Sequence, residues 1–243
     1  MTFEQIKDNF EKIRYEILTE EKKSGRTENS VSLCAVSKFH PVQSVYDAMK
    51  SKQFLFGENR VQEAYEKFTQ IQNDSTISKK PDLHIIGTLQ KNKVKKAVEI
   101  SSCIESVDRE DLLVAIEKTC VELNKKINIL FEFHTGEESK SGFLSYDSIK
   151  ESVESCAKGI FPHIVPCGLM TMAPFTDNEI LIHKSFESLR KTKDSLQKEF
   201  PNLMLNELSM GMSNDYKIAI EEGSTIVRIG TALFGQREAP LKN

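Results

Sequence analysis

The sequence has 243 residues, and its 33 basic and 36 acidic side chains give a formal net charge of −3. This near balance excludes a protein whose whole surface binds nucleic acid or another polyanion, so any anion site is expected to be local. The length fits one large α/β domain or two small ones, and it can bury a core without disulfides or metals.

The first predicted element is an N-terminal helix over residues 1–25. Its apolar residues recur at helical spacing between charged ones: Phe3, Ile6, Phe10, Ile13 and Ile17. The segment resembles neither a secretory signal nor a transit peptide, and no apolar run approaches the length of a membrane span. The five cysteines are widely spaced without a CxxC pair, which favours reduced thiols. We therefore predict a cytoplasmic protein.

Eight apolar, strand-like runs follow and alternate with charged helical stretches. The runs are Ser32 to Ser37, Phe54 to Gly57, Leu83 to Gly87, Cys103 to Val107, Ile127 to His134, His163 to Met170, Met204 to Ser209 and Thr225 to Phe234. The helical stretches are Val42 to Lys50, Arg60 to Gln72, Lys91 to Ile100, Arg109 to Asn124, Tyr146 to Ala157, Asn178 to Phe200 and Ser213 to Glu222. Each is long enough to connect two parallel strands.

Eight such units predict an α/β fold, a (β/α)8 TIM barrel over residues 31–237, with the N-terminal helix joining its outer ring. A doubly wound open sheet is the competing interpretation. The unusual residues follow the strands, which favours the barrel because barrel sites lie at one rim. The chain shows no linker and no internal repeat, so 1–243 is predicted to be one domain.

Lys38 lies just after the first strand, in "SLCAVSKFHP". A free lysine has a pKa of about 10.4 and is protonated at neutral pH. Desolvation at the mouth of an apolar barrel would lower that pKa and let the amine form a Schiff base with an aldehyde. The alternative is a lysine whose stem simply reaches solvent, and Lys38 taken alone favours that alternative.

The last two units suggest a phosphate site. "LSMGMSNDYKIAIEEGS" places Ser209, Gly211 and Ser213 between the seventh strand and a helix expected near Asn214, and "STIVRIGTALFG" places Gly230 and Thr231 at the end of the eighth strand. Barrels commonly bind phosphate at these two places, although ordinary capped turns would have the same residues. Together the two motifs favour a phosphorylated ligand.

Arg228 interrupts the apolar run "TIVRIG". A buried guanidinium needs a partner, which is either a carboxylate of the protein or an acceptor atom of a ligand. A Schiff-base lysine, a phosphate site and an arginine fit one cofactor best: pyridoxal 5'-phosphate (PLP), which has an aldehyde, a phosphate and a ring nitrogen.

At this point the sequence closely resembles the pyridoxal phosphate homeostasis protein family. The resemblance rests on seven motifs in family order: "AVSKFHP", "FGENRVQEAYEK", "HIIGTLQKNKVKKAV", "ESVDRE", "GEESKSGF", "GLMTMAP" and "LSMGMSNDYKIAIEEGSTIVRIGTALFGQR". It implies a barrel like the N-terminal domain of alanine racemase, with PLP held on Lys38 as a Schiff base. It also implies that Arg228 faces the pyridine nitrogen and that Asn59 lies beside the ring. The residues implied around the phosphate are Ser209, Met210, Ser213, Gly230 and Thr231.

Several positions depart from the family pattern. Glu105 stands where the family often has His, "FEFHTG" replaces a more polar segment, and Leu83 replaces an aromatic residue. Glu137 and Glu138, beside Lys140, are interpreted as an exposed turn, and the basic stretch Lys91 to Lys96 as a solvated helix face rather than a nucleic-acid site. No histidine spacing suggests a metal.

Three functions remain open at this stage: a PLP carrier, a PLP-dependent amino-acid racemase and a Schiff-base aldolase. The racemase that shares this barrel takes its second acid/base group from an added domain, and we expect none after "GQREAPLKN". The sixth strand contains no lysine for an aldolase. We therefore expect a non-catalytic, monomeric carrier whose partners are PLP and PLP-dependent apo-enzymes.

Overall fold

The computed structural model of the protein describes residues 1–136 and 141–236. Its eight parallel strands form a closed barrel in which each strand pairs with the next and the last pairs with the first. The strands are β1 (Ser32–Val36), β2 (Leu55–Glu58), β3 (Asp82–Ile85), β4 (Cys103–Val107), β5 (Ile127–Glu132), β6 (Ile164–Met170), β7 (Glu207–Ser209) and β8 (Ile226–Ile229). The closed order confirms the predicted (β/α)8 barrel over the open sheet.

Helices follow the strands and cover the outside of the barrel. They are α1 (Phe3–Lys23), α2 (Val42–Lys50), α3 (Val61–Asn73), α4 (Val94–Ile100, after a 3-10 turn at Lys91–Lys93), α5 (Glu110–Leu123), α6 (Tyr146–Ala157), α7 (Glu179–Glu199), α8 (Tyr216–Glu221) and α9 (Thr231–Phe234). Among the described residues, no helix is both long and apolar enough to cross a membrane.

The predicted N-terminal helix is confirmed as α1. Thr2 and Gln5 form a capping box at its start, which satisfies N–H groups that have no partner within the helix. The apolar stripe found in the sequence is buried at Ile6, Phe10, Ile13 and Ile17. Phe10 packs edge-on against Phe234 of α9, with ring centroids 5.8 Å apart, so α1 completes the outer layer next to the end of the barrel.

The predicted eighth strand, Thr225 to Phe234, is wrong beyond Ile229. Gly230 adopts φ −118° and ψ −75°, which ends the extended backbone, and Thr231–Phe234 then form the short helix α9. Leu233 and Phe234 are buried, and Phe234 packs against α1. Contact with α1 therefore selects a helical turn for a segment whose composition also suits a strand.

Two other predicted boundaries, at the seventh strand and the eighth helix, are also wrong. Met204 is exposed and the N–H of Leu205 donates to the side chain of Gln197, so β7 begins only at Glu207. The helix predicted from Ser213 begins at Tyr216, because residues 213–215 form a turn. Glu137, Glu138 and Lys140, and the end of the predicted barrel at residue 237, lie outside the described residues.

Candidate functional site

The predicted site residues lie toward one rim of the barrel. Lys38 comes just after β1, Asn59 follows β2, Ser209 ends β7 and Gly230 follows β8, while Arg228 is inside β8. The carboxyl ends of the strands form the rim at which barrels of this class build their sites. The structure therefore brings together residues that are distant in the sequence.

Side-chain alternation along β1 shows which of its residues face the barrel interior just before Lys38. Phe56 of β2 packs edge-on against Phe68 of α3, so it faces the helical layer and its neighbour Gly57 faces inward. A Cβ added at Gly57 would lie 2.9 Å from the Sγ of Cys34, which places Cys34 inside as well. Side chains alternate with a period of two residues along a strand, so Val36 shares the inward face of Cys34, and the turn that contains Lys38 begins directly after it.

Ser37, the residue before Lys38, is held by buried side chains of β2 and α3. Ser37 Oγ donates to Glu58 Oε1 at 2.7 Å, and the Ser37 carbonyl accepts from Lys67 Nζ at 2.8 Å. Lys67 also donates to Glu58 Oε1 at 2.7 Å, and the two side chains are 6% and 0% exposed. Burial raises the pKa of Glu58, and the charge of Lys67 opposes that rise. A buried ion pair therefore fixes this segment of backbone.

Phe39, the residue after Lys38, is held by a side chain of α3. Phe39 has φ +65°, which is uncommon for a residue other than glycine. Its N–H donates to Glu63 Oε1 at 2.6 Å, and Lys67 donates to the same oxygen at 3.2 Å. Contacts from α3 and β2 thus define the backbone on both sides of Lys38, and the position of its amine depends on them.

Arg228 is buried within the barrel and makes defined hydrogen bonds. Its Nη1 donates to Ser209 Oγ at 2.7 Å and its Nη2 donates to the carbonyl of Thr171 at 2.8 Å. Nη1 also lies 3.9 Å from Oε2 of Glu105. Of the two partners that the sequence left open for Arg228, the structure thus contains the carboxylate.

Glu105 occupies the centre of this network and is fully buried. Its Oε2 accepts from Ser209 Oγ at 2.5 Å, and its Oε1 lies 2.6 Å from Nδ1 of His84. Burial raises the pKa of Glu105, but His84, Arg228 and Ser209 outweigh it and lower the pKa overall. Burial likewise lowers the pKa of His84, but Glu105 outweighs it and raises the pKa overall. The carboxylate is therefore ionised at neutral pH.

The turn after β7 is tightly packed. The N–H of Met212 donates to Asp215 Oδ1 at 2.5 Å, and Gly211 has φ +96°, where a side chain would be strained. A Cβ at Gly211 would also lie 2.6 Å from the Cβ of Ala219 in α8. Ser213 is half-buried in this turn, and Met210 is fully buried at its start. The turn is a rigid element beside the rim.

The turn after β8 approaches the segment that contains Lys38. A Cβ at Gly230 would lie 3.1 Å from the carbonyl of Val36, at the end of β1. No side chain caps the start of α9, so its first N–H groups, beginning with that of the exposed Thr231, lack a helical acceptor. An anion at this place would meet backbone donors close to Lys38.

Asn59 contains an unsatisfied polar atom. Within the described part of the chain its Oδ1 is buried and accepts no hydrogen bond, a condition that usually reflects a ligand or water. The backbone here is closely packed, since a Cβ at Gly87 would lie 2.5 Å from the carbonyl oxygen of Asn59. The rim thus combines the unsatisfied amide oxygen of Asn59 with Lys38, Arg228 and two turns of small residues. This set of groups fits a ligand that has a polar aromatic ring and a phosphate.

Sequence reasoning identified Arg228 as an interior charge but did not treat Glu105 in the same way. Glu105 interrupts the apolar run "CIESV" just as Arg228 interrupts its own strand, and two buried charges of opposite sign within one barrel are expected to pair.

The basic stretch Lys91 to Lys96 lies on the 3-10 turn and α4. There, Lys91 pairs with Asp111 at 2.6 Å and Lys96 donates to Gln62 at 2.7 Å.

Comparisons with known proteins agree with this barrel. Residues 5–238 match the family described as "Alanine racemase, N-terminal domain". The chain is 37% identical over 216 residues to the pyridoxal phosphate homeostasis protein of Aquifex aeolicus, covering 89% of this chain and 91% of that protein. It is also 37% identical over 238 residues to the protein of the same name from Vibrio alginolyticus, covering 96% and 98%.

Solved structures give the same result. PipY of Synechococcus elongatus, described with PLP bound, superimposes with a TM-score of 0.82 and 31% identity over 95% of this chain and 100% of that chain. Alanine racemase of Clostridium difficile superimposes with a TM-score of 0.69 at 15% identity, over 92% of this chain and 59% of that chain, which shows the fold alone. The fold and rim define an alanine racemase-like barrel. Within that class, the chain belongs to the pyridoxal phosphate homeostasis protein family.

Proposed function

We propose that this chain holds PLP as a Schiff base on Lys38 and supplies it to PLP-dependent apo-enzymes in the cytoplasm, as part of PLP homeostasis. The observation that carries the proposal is the placement of Lys38 just after β1 and of Arg228 within the neighbouring strand β8. Arg228 pairs in register with Cys34, so Lys38, which follows the end of β1, lies nearer the rim than Arg228. Two long side chains that approach from these positions leave room for a small aromatic ring between them.

Lys38 supplies the covalent bond in this proposal. Bound PLP would supply an aldehyde with which the neutral amine of Lys38 would form a C=N bond, with loss of one water. The contacts of Ser37 and Phe39 hold the backbone on both sides while this occurs, so the amine approaches from a constant direction.

Arg228 defines the opposite end of the site. Its guanidinium does not give up a proton readily, so it would donate to the pyridine nitrogen of bound PLP and leave that nitrogen unprotonated. An unprotonated ring is a weaker electron sink for carbanions. This arrangement favours storage of the cofactor over reaction with amino acids.

The phosphate would lie between the turns after β7 and β8. Ser213, Gly230 and Thr231 present backbone N–H and hydroxyl groups there, and Ser209 and Met210 form the base of the first turn. Asn59 borders the ring through its orphaned oxygen. The names of the related proteins and the PLP described in PipY support PLP as the ligand.

Borohydride trapping tests the proposal. The purified chain is incubated with PLP, reduced and digested, and we expect the reduced adduct on the peptide that contains Lys38 and its loss in Lys38→Ala. An adduct mainly on another lysine would overturn the assignment. Transfer is tested by mixing loaded protein with an apo-enzyme in the presence of a trap for free PLP; failure to restore activity would contradict delivery.

The racemase alternative is distinguished by proton exchange. The loaded chain is incubated with alanine in deuterated water, and we expect no deuterium at the α-carbon above the level of free PLP. Exchange that depends on Lys38 would establish enzyme activity instead of storage.

A further inference from the structure

We propose that Glu105 and His84 are positioning residues for Arg228, which fix the guanidinium in the orientation that faces the pyridine nitrogen of PLP. This inference rests on the proposed function. Its starting observation is that a line of polar contacts crosses the barrel from β3 to β8, through His84, Glu105, Ser209 and Arg228.

The first step concerns the Ser209 hydroxyl. It has one proton, which it donates to Glu105, and this leaves its lone pairs to accept from Arg228. If Glu105 were uncharged, the hydroxyl could rotate and the hydrogen bond to Nη1 would weaken. Glu105 therefore acts on Arg228 through Ser209 as well as directly across 3.9 Å.

The second step concerns charge. Arg228 and Glu105 are both buried, and each would be costly without the other. His84 lies on the far side of Glu105 and also experiences the negative charges of Asp82 and Glu207. Asp215, in the turn after β7, is affected by the charge of Arg228 as well. Glu105 is the carboxylate that connects these positive groups.

The third step concerns direction. Nη2 of Arg228 is held by the Thr171 carbonyl and Nη1 by Ser209, so both ends of the guanidinium fork have a partner. A planar fork with two fixed ends cannot rotate freely. The remaining donors are therefore fixed in the plane of the guanidinium, and a ring nitrogen facing one of them would meet a pre-oriented donor at little entropic cost.

Glu105→Gln is the main test because Gln keeps the shape and removes the charge. We expect the Kd for PLP to rise about tenfold or more, since hydrogen bonds to charged groups contribute this much. We also expect the visible absorption band of bound PLP to move, because the electron density of the ring depends on its contact with Arg228. A purely structural role would lower the Tm of the apo-protein without moving that band.

Glu21→Gln is the matched control. Glu21 is buried and accepts from the N–H groups of Asn29 and Val31 and from the Ser30 hydroxyl, at the amino end of β1. We expect it to lower the Tm and leave both the Kd and the absorption band unchanged. His84→Gln and Ser209→Ala provide second variants if Glu105→Gln does not fold, and each should move the band.

Borohydride trapping on the wild-type chain separates this inference from the proposed function. If PLP is not trapped on Lys38 of the wild-type chain, the proposed function itself fails. If it is trapped there, and the folded variants at Glu105, His84 and Ser209 retain the wild-type band and a Kd within about twofold, the positioning role is overturned.

Discussion

The ammonium of Lys67 lies 2.7 Å from the carboxylate of Glu58, and the pair is buried behind the backbone that leads to Lys38. Lys67 comes from α3 and Glu58 from the end of β2, so the pair joins the helical layer to the barrel. The same ammonium reaches the carbonyl of Ser37. One buried cation thus links stability to the placement of the site.

Replacement of Lys67 by Met is expected to lower the free energy of unfolding by about 3–5 kcal/mol, because Glu58 would remain buried without its partner. Urea unfolding of the apo-protein measures this. Lys150→Ala is the control, since Lys150 and Glu199 form an exposed pair whose loss costs about 0–1 kcal/mol. The double variant Lys67→Met with Glu58→Leu should recover part of the loss; no recovery would show that desolvation of Glu58 is not the cause.

Gly87→Ala is expected to weaken both folding and PLP binding. A Cβ at this position would lie 2.5 Å from the carbonyl oxygen and 2.8 Å from the Cα of Asn59, so the backbone of the site has to move. Overpacking of this kind costs about 1–3 kcal/mol. Thermal unfolding and absorbance titration with PLP measure the two effects.

Gly159→Ala is the matched control for Gly87→Ala. Gly159 has φ +75°, and among the described residues other than its chain neighbours no heavy atom lies within 4 Å of an added Cβ. Its replacement should cost about 1–2 kcal/mol of stability from backbone strain alone and leave the affinity for PLP unchanged. Equal effects of both variants on affinity would contradict the special role of Gly87.

The fold could be predicted largely from the sequence because a parallel barrel repeats two simple periods. The stripe of α1 and the apolar runs of most strands were sufficient to find the elements. The eighth strand failed beyond Ile229 because "TALF" suits either a strand or a helical turn, and the choice depends on packing against α1. That contact joins the two ends of the described chain.

The site could be predicted only in part. Lys38 and Arg228 were visible as charges in apolar surroundings, a signal that is local in sequence. The carboxylate partner of Arg228, Glu105, was not identified. Glu105 and Ser209 are separated by 104 positions, and only closure of the barrel brings both of them to Arg228. The contacts of Lys67 with Ser37 and Glu63 were missed for a related reason, since a lysine on an amphipathic helix usually faces solvent.

Arg228→Met is expected to raise the Kd for PLP about tenfold or more while the apo-protein still folds, because Glu105 keeps His84 and Ser209 as partners. Absorbance titration measures the affinity. Arg26→Met is the matched control, since Arg26 donates to the carbonyls of Ile220 and Ser224, before β8 begins. An equal change in affinity for the two variants would show that Arg228 acts through stability alone.

The His84–Glu105 pair should make stability depend on pH. Burial lowers the pKa of His84, but the hydrogen bond and charge of Glu105 outweigh this and raise the pKa above its ordinary value of 6.5. A raised pKa means that the protonated histidine stabilises the fold fully below pH 6.5, and that this contribution is lost as the pH rises through the folded-state pKa. Glu105 has a lowered pKa, so its own contribution is present above 4.5 and is lost on acidification.

His84→Gln isolates the histidine contribution. The difference in unfolding free energy between wild type and His84→Gln should be largest at about pH 5–6 and should shrink above it, by at most about 1.4 kcal/mol per pH unit. Urea unfolding from about pH 5 to about pH 9 measures this. In a Glu105→Gln background this decrease at higher pH should be lost, because burial then lowers the pKa of His84 without the opposing carboxylate. A difference that stays constant across the pH range in the wild-type background would mean that pairing with Glu105 does not raise the pKa of His84.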